Sequence, residues 1–187
     1  MSVFFIHIAC REMKCIILIG YMCAGKTTVG KRLAKALGRT FYDLDWYVEE
    51  RYHKRVSDIF ATEGEAAFRD MERRMLHEVA EFQDVVLACG GGTPCFFDNM
   101  AYMNSVADTI YMKASVSTLM QHLSVSRGDR PLLNGKTDDE LCQFITRQLA
   151  ERAPYYEQAR YVQNIDVLSS FREVETVVQQ LRERLGL

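Results

Sequence analysis

An α/β fold in three layers, with a central mainly parallel sheet and helices on both of its faces, is the architecture this sequence predicts. Three observations predict it. Short apolar runs suited to fully buried strands alternate with longer segments in which apolar residues recur at helical spacing. Two of those runs, Cys15 to Ile19 and Val85 to Cys89, end in glycine-containing turns. No repeat, linker or low-complexity tract interrupts the alternation across the 187 residues, so one domain is expected.

Taken in order, Cys15 to Ile19 is continuously apolar, as a strand buried on both faces should be. A glycine-rich loop follows, and from Thr27 the positions Val29, Leu33 and Leu37 mark a helix that Gly38 can cap. The stretch "TFYDLDWYVEE" predicts a short strand that delivers Asp43 and Asp45 to a loop. Thr62 and Glu65 match a capping box, opening a helix with Phe68, Met71, Met75 and Val79 as its apolar stripe. Val85 to Cys89 is a second buried strand and Gly90 to Gly92 a bare backbone turn. "DTIYMKA" predicts another strand, and a helix through about His122 leads into "SVSRGDRPLLNGKTDDE", the most polar and loop-like stretch of the chain. Thr137 and Glu140 form a second capping box, on a helix with Leu141, Phe144, Ile145 and Leu149 on one side, which Pro154 should end or kink. "YVQNIDV" is the final strand, and Val174, Val177, Val178, Leu181 and Leu185 mark the final helix.

Composition narrows the function classes. A 48% hydrophobic content is ordinary for a globular protein, and a formal net charge of −2 gives no reason to expect nucleic acid or an anionic membrane as partner. Six cysteines without a CxxC pair, and four histidines without HExxH, leave metal cages and redox motifs unsupported, so reduced thiols in the cytoplasm are expected. No apolar run approaches the ~18 residues that span a bilayer. Residues 1–14, "MSVFFIHIACREMK", carry an apolar patch broken by His7 with no basic region before it, which argues against a signal peptide. They read as an extension, or as the product of a start placed upstream of Met13, ahead of a domain spanning 15–187.

The run "ILIGYMCAGKTTVG" holds G-x-x-x-x-G-K-[ST] as Gly20, Gly25, Lys26 and Thr27 between a buried strand and a helix. In that setting backbone N–H groups of Gly20, Cys23, Ala24, Gly25, Thr27 and Thr28 can approach phosphate oxygens, with the helix N-terminus adding partial positive charge. Lys26 would reach the β and γ phosphates, and the Thr27 hydroxyl would ligate Mg²⁺. A small-molecule kinase and a GTP-dependent switch both use such a loop. The nearest approach to the N-K-x-D guanine-reading element is "NGKTDD", Asn134 to Asp139, whose spacing is wrong, which favours the kinase.

Four further elements follow the loop: "FYDLD", "FRDME", "CGGGTP", and "RPLL" with "ERAPYY". Arg69 and Glu72 lie at i and i+3 on one helix, so Glu72 can hold the Arg69 guanidinium while its other donors grip an anion; an ordinary surface ion pair is the alternative. Gly90, Gly91 and Gly92 lie at the end of a buried strand, where open α/β sheets bind ligands, and would let a flat ring approach the backbone; a simple tight turn is the alternative.

Together these elements resemble the shikimate kinase family, within the nucleoside monophosphate kinase-like group of P-loop proteins, from about Cys15 to Tyr156. The resemblance implies a P-loop kinase fold with a mobile lid at about 124–136, and ATP-dependent phosphorylation of the 3-hydroxyl of shikimate with ATP and Mg²⁺. It implies Asp43 beside Thr27 at the metal, and Asp45 as the carboxylate that meets the shikimate hydroxyls and accepts the proton. Arg69 and Arg152 would bind the shikimate carboxylate, Gly91 and its neighbours would line the ring, and Phe60 and Phe68 would be pocket aromatics. Arg130 would be the lid arginine that meets the phosphates, working with Lys26 in catalysis. A monomer is expected. Cys23 stands where the family commonly has glycine, and the arginine that stacks on adenine before the lid has no clear counterpart: His122 or Arg127 takes its place. The segment "NIDVLSSFREVE" also lacks the familiar arginine and proline of the adenine pocket. His53, His77 and Trp46 are assigned no catalytic role. A related kinase acting on gluconate or a nucleoside monophosphate is the second reading.

Overall fold

The computed structural model describes residues 15–125, 137–166, 168 and 170–187. Strand β1 (Cys15–Ile19) is buried at every position and lies at the centre of a five-stranded sheet in the order β2-β3-β1-β4-β5. The other strands are β2 (Thr40–Asp43), β3 (Val85–Ala88), β4 (Ala107–Lys113) and β5 (Tyr161–Asn164), and each neighbouring pair is parallel. A parallel sheet must be covered on both faces, because its connections cross over as helices. The period-two alternation of β1 shows how: Ile16 and Leu18 face one core, Cys15, Ile17 and Ile19 the other.

The first core is closed by α1 (Lys26–Leu37), α6 (Val116–Val125), α7 (Asp138–Tyr156) and α8 (Phe171–Leu185), with Leu33, Leu119, Ile145 and Leu181 fully or nearly fully buried. The second is closed by α2 (Leu44–Tyr52), α3 (Val56–Thr62), α4 (Gly64–Ala80) and α5 (Asn99–Val106), with Val48, Ile59, Leu76 and Met103 inside. The three-layer expectation holds. The apolar stripes of α4, α7 and α8 face the cores as their spacing predicts, and the Thr137–Glu140 capping box forms with both reciprocal bonds.

Three local expectations are corrected. The Thr62–Glu65 capping box does not form: Thr62 ends α3, its hydroxyl donates to the Asp58 carbonyl, and α4 starts at Gly64 with no side-chain cap. Asp45 is not in a loop, because α2 begins directly after Asp43, which caps it by accepting from the Asp45 N–H. Pro154 neither ends nor visibly interrupts α7, which runs on to Tyr156; a proline removes only one backbone donor there, in the last turn, where the helix is about to end. Helices α2, α3 and α5 are additions to the expected element order. α2 and α5 show no periodic stripe in sequence and owe their helical state to the core they cover. The expected extension 1–14, and all but the first two residues of the expected lid, lie outside the described residues.

Candidate active site

The ends of β1, β2 and β3 lie side by side, and each delivers part of one site. After β1 the chain enters the loop Gly20 to Gly25. Gly20 has φ 142, and a Cβ there would come within 2.7 Å of the Met112 carbonyl oxygen in β4, so both conformation and space require glycine. Cys23 also adopts a left-handed backbone, φ 61, which costs on the order of 1 kcal/mol for a residue with a Cβ. Its carbonyl lies 2.9 Å from Nδ1 of His122, whose Nε2 lies 2.6 Å from the Leu168 carbonyl. His122 therefore braces the loop from behind, joining it to the segment after β5. Both of its ring nitrogens thus lie within hydrogen-bond distance of backbone carbonyls.

Lys26 opens α1, and its ammonium donates to the carbonyls of Gly20 and Tyr21, each at 2.8 Å. Burial pushes its pKa down to about 8, against the opposing pull of Asp45 and Asp43. Thr27 donates its hydroxyl to Oδ2 of Asp43 at 2.9 Å, and Oδ1 of Asp43 takes the Asp45 N–H at 3.2 Å. A hydroxyl and a carboxylate already oriented toward one another at a helix N-terminus are hard oxygen donors of the kind Mg²⁺ takes alongside water and phosphate oxygens. Thr27 and Asp43 fit that cation.

Asp45 occupies the first turn of α2. Its carboxyl pKa is pushed up to about 6, first by burial, then by the neighbouring carboxylates of Glu72 and Asp43, with Lys26 and Arg69 opposing. The turn after β3 explains the crowding. None of Gly90, Gly91 and Gly92 has positive φ, so these are glycines for room rather than for backbone freedom. A Cβ on Gly90 would lie 2.9 Å from Oδ1 of Asp45 and 3.0 Å from Oε1 of Glu72. On Gly91 it would lie 3.4 Å from Nη1 of Arg152, and on Gly92 only 2.6 Å from Nη2 of Arg69. Consecutive glycines thus admit a half-buried and a buried carboxylate and then two guanidiniums, brought from α2, α4 and α7.

Each of those groups is held. Nη1 of Arg69 donates to Oε2 of Glu72 at 2.9 Å, and Nε and Nη2 reach Oε1 of Glu65 at 3.2 and 3.0 Å. Glu72 is 1% exposed, and its other oxygen accepts from the Thr93 hydroxyl, so this is a buried and satisfied arrangement rather than a surface ion pair. Arg152 lies over the Tyr21 ring at 5.5 Å, and the Tyr156 hydroxyl donates to the Gly91 carbonyl. Phe60 and Phe68 pack with tilted rings, centroids 4.6 Å apart, with the Arg69 guanidinium 5.9 and 5.1 Å from their rings. A nucleotide-phosphate loop beside a pocket with two cations, a carboxyl near neutrality and aromatic walls suits phosphoryl transfer to a small hydroxylated anion.

Comparison with known proteins agrees. A sequence profile described as shikimate kinase matches residues 22–185. The chain belongs to the shikimate kinase family. It is 54% identical over 172 residues to the shikimate kinase of Bacteroides fragilis, spanning 92% of this chain and 96% of that protein. The crystal structure of the Bacteroides thetaiotaomicron shikimate kinase matches with a TM-score of 0.90 at 50% identity, over 93% of this chain and 99% of that one. The shikimate kinase of Acinetobacter baumannii, solved in complex with shikimate, matches with a TM-score of 0.81 at 31% identity, over 93% and 94%.

Of the residues picked out in the sequence, Gly20, Cys23, Ala24, Gly25, Lys26, Thr27, Thr28, Asp43, Asp45, Phe60, Phe68, Arg69, Glu72, Gly90 to Gly92 and Arg152 lie on the elements that meet at this site. Arg130 and Arg127 lie outside the described residues. Sequence reasoning missed Thr93, Glu65, Tyr156 and Phe96, whose ring lies 4.2 Å from the Arg69 guanidinium. Glu65 sits four residues before Arg69, a spacing that could have revealed it; the other three act across the fold and left no local signal.

Proposed function

We propose that this chain transfers the γ-phosphoryl group of ATP to the 3-hydroxyl of shikimate, giving shikimate 3-phosphate and ADP. The observation that carries the reading is the turn Gly90 to Gly92, against which Asp45, Arg152 and Arg69 are all aligned, next to the phosphate loop. Membership of the shikimate kinase family, and the shikimate bound by the related Acinetobacter enzyme, support the same acceptor.

Arg69 and Arg152 bind the acceptor's carboxylate and fix its hydroxyl toward the phosphate loop, so that the barrier is met largely by positioning. Asp45 accepts the hydroxyl proton as the new oxygen–phosphorus bond forms and the bond to the β,γ-bridging oxygen breaks. Its carboxyl, pushed up to about 6, is ionised at neutral pH yet basic enough to take that proton. Lys26 balances charge on the β and γ oxygens. Mg²⁺, held through Thr27 and Asp43, would neutralise charge developing on the phosphates. Arg130, in a lid at about 124–136, would add a further cation on closure and exclude water, the competing acceptor.

The same reading takes 15–187 as one catalytic domain, acting as a monomer in the cytoplasm without nucleic-acid or membrane partners. Residues 1–14 are then dispensable for turnover, and deleting the first 12 should leave activity intact; loss of solubility or turnover would show that the segment packs on the domain. The test of function is an ADP-release assay with shikimate, gluconate and nucleoside monophosphates side by side. Turnover with shikimate is expected. Turnover with gluconate or a nucleotide, and none with shikimate, overturns the reading.

A further inference from the structure

We propose that Phe96 is a positioning residue for the acceptor, holding Arg69 by its face so that the edge of the guanidinium is presented to the substrate carboxylate; this rests on the shikimate reading above. The Phe96 ring lies 4.2 Å from the Arg69 guanidinium carbon, nearer than Phe68 or Phe60. The in-plane donors of Arg69 are only partly spent. Nε and Nη2 go to Glu65 and Nη1 to Glu72, leaving one N–H on each terminal nitrogen without a partner among the described residues. A Cβ on Gly92 would lie 2.6 Å from Nη2 and 2.9 Å from both Nη1 and Cζ, so the turn is packed against this end of the guanidinium. A guanidinium bonds anions through its edge and stacks through its face, so the ring and the carboxylate do not compete. The ring strips water from the face and restricts the side chain, lowering what binding must spend on ordering it.

The backbone has been shaped for this contact. Phe96 is extended, φ −113 and ψ 146, and Phe97 then takes φ 52, an outlier for a bulky aromatic residue. In a continued extended chain the two rings would point to opposite sides. Here Phe96 lies on Arg69 while Phe97 lies on Arg73, 5.0 Å from its guanidinium and one turn along α4, and Asp98 pairs with the same Arg73 at 2.7 Å. Three consecutive residues thus anchor this segment to α4. Only the first of them reaches the acceptor site.

The experiment compares Phe96→Leu, Phe96→Tyr and pentafluorophenylalanine at position 96, with Arg73→Ala as the neighbouring control. KM for shikimate, KM for ATP and kcat are measured for each. The leucine and the pentafluorinated side chain, which keep bulk but remove or reverse the ring quadrupole, should raise KM for shikimate about fivefold or more. KM for ATP should stay unchanged, Phe96→Tyr should stay within about twofold, and Arg73→Ala should match the parent enzyme. An unchanged shikimate KM in the leucine and pentafluorinated variants overturns the proposal, as does an equal rise in the ATP KM or an equal effect of Arg73→Ala. If the parent enzyme itself fails to turn over shikimate, the functional reading fails instead, so the two failures are distinguishable.

Discussion

Two glycine turns, one after β1 and one after β3, stand on neighbouring strands and solve different problems. The first, Gly20 to Gly25, bends its own backbone into left-handed conformations so that main-chain groups and the start of α1 can receive phosphate. The second, Gly90 to Gly92, keeps ordinary dihedrals and uses missing side chains as space, into which Asp45, Glu72, Arg152 and Arg69 project from elsewhere. One site is a local conformation and the other a meeting place. The nucleotide end is therefore intolerant of backbone change, whereas the acceptor end is sensitive to distant side chains that hold one another in place.

The largest expected effect is at the phosphate loop. Lys26→Ala should lower kcat by at least about 10³-fold while the protein stays folded, because a cation meeting the transferred charge in a water-poor site has no substitute. Single-turnover measurements on the folded variant would expose near-normal transfer and end that assignment. Next come the aspartates. Asp45→Asn should depress kcat on the order of 10²-fold or more at unchanged Mg²⁺ demand, since an amide cannot accept the proton. Asp43→Asn should instead shift the Mg²⁺ dependence to higher concentration, because the amide keeps shape but loses charge. Matching Mg²⁺ titrations for the two variants would abolish the division between them.

The two turns can be separated directly. Gly20→Ala should lower stability by about 2 kcal/mol or more, because its Cβ meets the backbone of β4 and the φ is unfavourable. Gly92→Ala meets only the tip of the Arg69 side chain, so the protein should fold normally and lose affinity for shikimate, by about tenfold or more if a charge-assisted contact is lost. Equal melting temperatures for the two, or unchanged shikimate dependence of Gly92→Ala, would break the contrast.

Titration gives a finer version. In the free enzyme Asp45 must be ionised, above about 6, and Lys26 protonated, below about 8, so kcat/KM should be bell-shaped between those values. Asp45→Asn should flatten the acidic limb; an unaltered limb would assign it to another group. The same titration also bears on stability. Because the folded pKa of Asp45 lies above the ordinary value of 3.8, its cost grows as pH rises from there to about 6 and is complete above. Asp45→Asn should thus gain on the order of 1–3 kcal/mol at pH 8 and little near pH 4. Thermal melts at both pH values would decide, and an equal gain at each would point to packing instead.

What the sequence determined by itself is whatever depends on neighbours along the chain. The buried run Cys15 to Ile19, the loop to Thr27, the Thr137–Glu140 cap and the stripe of α8 were legible because strand burial, helix period and capping are short-range rules. The same rules misled at Thr62, where a matching pattern fell at the junction of two packed helices and the hydroxyl bonded backward to Asp58. The proposed acceptor residues could be chosen over their plainer alternatives only through likeness to a family, since Arg69 with Glu72 looks like any helical ion pair until Thr93 and burial close over it. Only the tertiary structure decided that Gly90 to Gly92 serve as space, that His122 braces the loop through Cys23, and that Phe96 covers Arg69. Each of those facts joins residues from separate elements, and the energy involved comes from excluding water and closing distances that no spacing in the chain records.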